Sequence, residues 1–131
     1  MALKNGKGTV NGYKIGPKAF LTGAHLYATD LSGAKLQRAD LACADLQGAD
    51  LSGADLSGAN LSCANLLQAD LTGADLTDAD LLGAHFSSAT VDPDHVPLIE
   101  AAKRKEIGLL LVNGRRTPNP RHYGPRGRYG R

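Results

Sequence analysis

Every fifth residue from Leu21 to Val91 is large and apolar. The series runs Leu21, Leu26, Leu31, Leu36, Leu41, Leu46, Leu51, Leu56, Leu61, Leu66, Leu71, Leu76, Leu81, Phe86 and Val91 without a slip. Two positions ahead of each stands Ala, with Thr29 the one exception, and the residue between them is most often Asp or Asn. The other two positions favour Ser or Thr and then Gly, so the unit reads Ala-Asp/Asn-Leu-x-x from Ala19 to Pro93.

Neither regular element accommodates this period. An α-helix turns about 100° per residue, which would smear the leucines around the cylinder, and a Gly in most turns would cost roughly 1 kcal/mol each. In a flat strand an odd period sends successive leucines to opposite faces. The chain therefore turns a corner in every unit. In Ala54-Asp55-Leu56-Ser57-Gly58, Ala and Leu point inward together while Asp, Ser and Gly face water or make the turn.

The array resembles the pentapeptide-repeat family, a likeness that covers residues 19–93 and leaves the tails out. The resemblance implies an all-β solenoid: a right-handed quadrilateral β-helix of just under four coils, four units to a coil. Leucines twenty residues apart would then stack, as in Leu21, Leu41, Leu61 and Leu81. Phe20, His25, Lys35, His85 and Thr90 break the Asp/Asn rule, and most of them fall in the first or last coil, where a neighbour is missing.

Four segments follow. Residues 1–18 form a basic N-terminal segment and cap, with Val10, Tyr13 and Ile15 in a short extended stretch before Gly16-Pro17. Residues 19–93 form the β-helix. Asp92-Pro93-Asp94 and Pro97 signal a helix start, giving a C-terminal capping α-helix over 94–112 that ends before Asn113-Gly114. That helix plugs the last coil; the further reading is that it also forms a homodimer contact, as terminal elements do in some members of the family it resembles. Residues 113–131 are rich in Arg, Gly and Pro and carry little that could build a core, the composition of a tail that stays disordered unless bound.

Charge is segregated behind a net value of +2. Residues 19–93 hold ten Asp and no Glu, against only Lys35 and Arg38, while Lys4, Lys7, Lys14 and Lys18 precede them. The tail carries Arg115, Arg116, Arg121, Arg126, Arg128 and Arg131. Two walls of the coil are expected to be acidic, displaying Asp30, Asp50, Asp55, Asp70, Asp75 and Asp78. The other two carry outward apolar residues, Phe20, Tyr27, Leu67 and Leu82, a candidate contact strip.

Chemistry is absent from the pattern. No Ser pairs with a His and an acid, and no phosphate loop, zinc spacing or dinucleotide fingerprint occurs, so no catalytic, cofactor-binding or metal-binding residue is assigned. His25 and His85 share an outward column with Asp45 and Asn65, about 14 Å apart, too far to share a metal; they are read as surface histidines, and His95 and His122 are unassigned. Cys43 and Cys63 are twenty residues apart and fall in one column of adjacent coils. Parallel side chains make poor disulfide geometry, so free thiols are expected. No secretory signal or membrane span is evident, since Leu109 to Val112 is far too short to cross a bilayer; a cytoplasmic address, or association with a virion, is the expectation.

These features suit a non-catalytic binding or structural module: a rigid acidic peg docked through its basic tail and apolar strip to a protein partner or large assembly, such as a phage particle or a nucleoprotein. Arg interleaved with Tyr also suits nucleic acid, or an acidic protein surface. Some pentapeptide-repeat proteins are topoisomerase-binding DNA mimics. The resemblance therefore implies a second function, that of a DNA mimic inhibiting or protecting a type II topoisomerase. Against it, four coils span well under one turn of duplex.

Overall fold

The computed structural model describes residues 3–102 and, for their backbone, two strands further on, Leu110–Val112 and Arg115–Thr117. The chain opens with a hairpin of β1 (Gly8–Val10) and β2 (Tyr13–Ile15), registered Gly8 to Ile15 and Val10 to Tyr13. Asn11 and Gly12 make its turn with φ of 51° and 82°. Two consecutive positive φ values are what a type I′ hairpin requires, which is why Asn-Gly stands there.

From Phe20 onward the backbone pairs with itself at a spacing of twenty residues. Parallel bridges run Phe20–Asp40–Asn60–Asp80, His25–Asp45–Asn65–His85, Asp30–Asp50–Asp70–Thr90 and Lys35–Asp55–Asp75. These four ladders are the walls of a square coil, three with four rungs and the last with three, so the expectation of just under four coils holds. Within a wall the Leu21 N–H donates to the Asp40 carbonyl (2.7 Å) and the Asp40 N–H to the Ala19 carbonyl (2.9 Å). At a corner the Ala24 N–H closes a turn onto the Leu21 carbonyl (3.0 Å). Gly23 takes φ 68° there, the left-handed value that a type II turn places at its third residue. Arg38, Cys43, Cys63 and Gln68 adopt the same conformation at other corners. Each is held by the ladders on either side, which outweigh the cost of about 1–2 kcal/mol for a side chain in that region.

The inside of the coil is filled by the expected Ala and Leu columns. Every repeat leucine from Leu21 to Leu71 is fully buried, each contributing roughly 1.5–3 kcal/mol. Phe86 and Val91 close the last coil, and Ile15 and Val10 of the hairpin close the first.

Open coil ends leave backbone groups that the next coil would have paired. Side chains of the caps stand in for that missing coil. At the N-terminal end the Tyr13 hydroxyl accepts from the His25 N–H (3.1 Å) and Asn11 Nδ2 donates to the His25 carbonyl (3.2 Å). Gly6 offers its carbonyl to the Lys35 N–H (2.7 Å), and only glycine fits, because a β-carbon there would lie 2.6 Å from Lys35 Cγ and 2.7 Å from the Gly33 carbonyl. At the C-terminal end Asp92 Oδ2 accepts from the Gly73 N–H (2.7 Å).

The C-terminal region departs from the sequence expectation. Pro93–His95 form a 3-10 turn and α1 spans only Val96–Ala102, with Ile99 buried in the core beneath it. The helix does not run to 112: Leu110–Val112 is β3, paired antiparallel with β4 at Arg115–Thr117, Leu110 opposite Thr117 and Val112 opposite Arg115. The expected unstructured tail is corrected at Arg115–Thr117 for the same reason. Two strand-forming runs separated by Asn-Gly are a hairpin signal, which outweighs reading that pair as a helix stop. The rest of the expected helix, 103–109, and of the tail, 113–114 and 118–131, lies outside the described residues.

Candidate interaction surfaces

The outward Asp and Asn of each unit have a structural task before any other. Asp50 Oδ1 accepts from both the Ser52 hydroxyl (2.6 Å) and the Ser52 N–H (3.0 Å), and Asp55 does the same with Ser57 (2.7 and 3.0 Å). Asp40, Asp45, Asp70, Asp75 and Asp80 each accept from the backbone N–H two residues on. This side-chain turn satisfies an N–H at the corner. Asn60 and Asn65 perform it equally well for Ser62 and Leu67, with no charge. The turn therefore requires an oxygen at this position and can be made without a charge, as Asn60 and Asn65 show.

Hydrogen bonding depresses several of these carboxyls. The Thr72 hydroxyl, then its N–H, holds Asp70 below the ordinary value of 3.8; Thr77 does so for Asp75 and Ser32 for Asp30. A lowered folded-state value means that the native chain binds fewer protons than the unfolded chain between the two values. The contribution is complete above the ordinary carboxylate value and is lost as pH falls through the folded one. Urea unfolding followed by circular dichroism should show the stability of the wild type falling as the pH drops through the carboxylate range and that of Asp70→Asn/Asp75→Asn falling less steeply; a variant whose stability varies with pH as steeply as the wild type contradicts this.

The ladders place Asp30, Asp50 and Asp70 on one wall and Asp55 and Asp75 on the next, with Asp78 exposed at the corner beyond Asp75. Lys35 heads the second of these ladders, so negative charge thickens toward the C-terminal end. There a cavity of about 440 Å³ is lined by Asp75, Asp78, Asp92, Asp94 and His95. The opposite end is basic. A concavity of about 670 Å³ beside the hairpin is lined by Lys7, Lys14 and Lys18 and reaches Phe20, which is 86% exposed.

The four outward apolar residues do not form a strip. Phe20, Tyr27 and Leu82 are exposed, but Leu67 is half-buried. Phe20 and Leu82 sit at opposite ends of one wall, with Asp40, Asn60 and Asp80 along the ladder between them, and Tyr27 and Leu67 are two coils apart on the next. Sequence spacing put them on the right walls; the vertical separation of the coils keeps them apart. The six tail arginines fall outside the described side chains.

His95, unassigned from the sequence, is buried. Its Nδ1 accepts from the Asp92 N–H (3.2 Å), which leaves Nε2 to donate to the Ala74 carbonyl (2.8 Å), so one ring ties the cap to the last coil. The signal was available in principle: His95 is twenty-one residues after Ala74, the offset at which a further coil would have donated its N–H. His25, Asp45, Asn65 and His85 do share one column. Among the described residues no group of three or more His, Cys, Asp or Glu could hold a metal ion, and no helix is long and apolar enough to cross a membrane.

Comparison with known proteins places this geometry. A family model of pentapeptide repeats matches residues 19–58, 39–78 and 49–87, with 8 copies. A pentapeptide repeat protein of Nostoc PCC 7120 is similar in structure at 45% identity and a TM-score of 0.57, over 57% of this chain and 62% of that one. A second, Rfr23 of Cyanothece 51142, matches at 40% identity and a TM-score of 0.49, over 56% of this chain and 53% of its own. The match thus spans less than two thirds of either solved chain. No curated protein matches.

Proposed function

Because the chain belongs to the pentapeptide-repeat family, whose members fold as right-handed quadrilateral β-helices and are generally non-catalytic, we propose that it is a binding module whose acidic walls dock onto a basic macromolecular surface. The observation that carries this is the Asp-for-Asn choice. Asn60 and Asn65 hold their corners as well as Asp does, yet Asp50, Asp55, Asp70 and Asp75 keep the charge on two adjoining walls. One carboxylate oxygen of each is committed to its own turn, which fixes the other in direction. A rigid array of directed charges recognises a complementary surface at little entropic cost. The C-terminal cavity, ringed by four Asp, suits an Arg or Lys of that partner. Docking of the tail arginines, Arg115 to Arg131, onto a separate acidic surface of the same assembly is the second contact in this scheme.

DNA mimicry is the special case in which the basic surface is the DNA channel of a type II topoisomerase. Duplex DNA carries one charge per about 1.7 Å of axis, and ten Asp along a shaft of about 19 Å approach that density.

The test is the quadruple variant Asp50→Asn/Asp55→Asn/Asp70→Asn/Asp75→Asn. Its native β signal is expected to persist, while capture of a basic protein partner is lost and the salt dependence of capture flattens. Capture retained by this variant but abolished by deleting residues 118–131 would remove the acidic walls from the scheme. A gyrase supercoiling assay separates the special case: inhibition by the wild type that disappears in the quadruple variant supports mimicry, and no inhibition leaves the general docking function.

A further inference from the structure

We infer that Cys43 and Cys63 form a two-thiol site for a soft, thiophilic centre, with trivalent arsenicals as the chemical class it takes. Both cysteines are free and exposed. Each stands at a corner in the left-handed conformation, φ 58° and 59°, where its β-carbon projects outward. The Cys43 N–H donates to the Ser62 carbonyl (2.9 Å) and the Cys63 N–H to the Leu82 carbonyl (2.9 Å), so the two corners are consecutive layers of one column. Layers in such a ladder are about 4.8 Å apart.

The lean of side chains in the corner columns aligns the sulfurs. A β-carbon on Gly83 would lie 3.2 Å from Cys63 Sγ, so that sulfur reaches over the corner of the next coil. Arg38 shows the same habit one corner earlier, its Cγ lying 3.2 Å from where a β-carbon on Gly58 would be. Applied to Cys43, this lean carries its sulfur over Cys63. Gly83 leaves the Cys63 sulfur unobstructed on the far side.

Parallel side chains about 4.8 Å apart are a poor match to a disulfide, whose β-carbons approach to about 3.5–4.5 Å. An atom inserted between the sulfurs relieves that constraint, because each sulfur then bonds to the bridging atom and the β-carbons keep their ladder spacing. With a hydrated arsenical, RAs(OH)₂, two S–H and two As–O bonds break, two As–S bonds form and two waters leave. Arsenic remains trivalent throughout, so no oxidant or reductant takes part. The stiffness of the ladders holds the second thiol at high effective concentration once the first has reacted.

The experiment uses the reduced full-length chain, phenylarsine oxide as the probe, and intact-mass spectrometry with competition by a monothiol. A one-to-one adduct is expected that withstands monothiol excess, with Cys43→Ser and Cys63→Ser each binding at least about 100-fold more weakly. Ser is tolerated at this conformation, since Ser88 adopts φ 61° at a corner, and circular dichroism checks that each variant folds. The double variant Cys63→Ser/Gly83→Cys moves the second thiol one coil further away and should bind like a single-cysteine variant. Equal affinity in wild type and either single variant, an undiminished adduct in the displaced pair, or no adduct with the reduced wild type would each overturn the assignment.

Discussion

Leu46→Ala will destabilise the β-helix by about 2–5 kcal/mol, a large part of the margin of a domain this size. Leu46 is completely buried and lies in the second coil, with Leu26 and Leu66 as the same-column residues of the coils on either side. In a compact globule, surrounding side chains relax into such a cavity. Here the ladders fix the distance between layers, with the Leu46 N–H bound to the Asn65 carbonyl at 2.8 Å and the Leu26 N–H to the Asp45 carbonyl at 2.9 Å. Collapse would have to compress a hydrogen-bonded sheet, so the cavity stays open. Leu82→Ala is the control. Leu82 is half exposed on the outside of the last coil, and its loss should change stability by no more than about 0.5 kcal/mol. Urea denaturation followed by circular dichroism compares the two, and similar midpoints would mean that the core is not where the coil places it.

His95→Ala should be the most damaging change outside the leucine columns. It removes the acceptor of the Asp92 N–H and the donor to the Ala74 carbonyl together. Leaving buried backbone groups unpaired costs about 1–3 kcal/mol each. The effect has a direction, because each coil touches only its neighbours. Hydrogen exchange should quicken first at Gly73 to Leu76 and in the last coil, leaving the first coil protected. His95→Gln keeps a donor for Ala74 and should recover part of the protection. Uniform loss of protection along the shaft would contradict a local capping role for this ring.

A property of the outward carboxylates links these folding arguments to binding. Their turn-forming oxygen is a folding requirement that Asn also meets, whereas their charge is available to a partner. Asn substitution can thus remove the charge while keeping the turn, although at Asp70 and Asp75, where hydrogen bonding favours the carboxylate, it also gives up some stability above the carboxylate range. The two ends of the shaft differ as well, lysines lining one concavity and aspartates the other, so a partner that follows the charge would meet the rod in one orientation.

The five-residue period alone decided that the chain turns in every unit, that Leu and Ala fill the interior and which residues face out, because a repeat that no helix or strand can accommodate leaves such a turn as the only way to bury Leu and Ala together; that four units make a coil came from the resemblance to the pentapeptide-repeat family. The acidic walls and the shared column of Cys43 and Cys63 follow from that period together with the four-unit coil that the resemblance implies. Only the tertiary structure decided what happens where the period stops. His95, Asn11 and Tyr13 are ordinary residues in the sequence, and their roles exist only because a coil edge lies against them with unpaired backbone groups. The pairing of Leu110–Val112 with Arg115–Thr117 had a local signal in the intervening Asn113-Gly114, which the reading of that pair as a helix stop competed with. A repeated unit states its environment over and over, whereas a cap is specified once, by contacts distant in the chain.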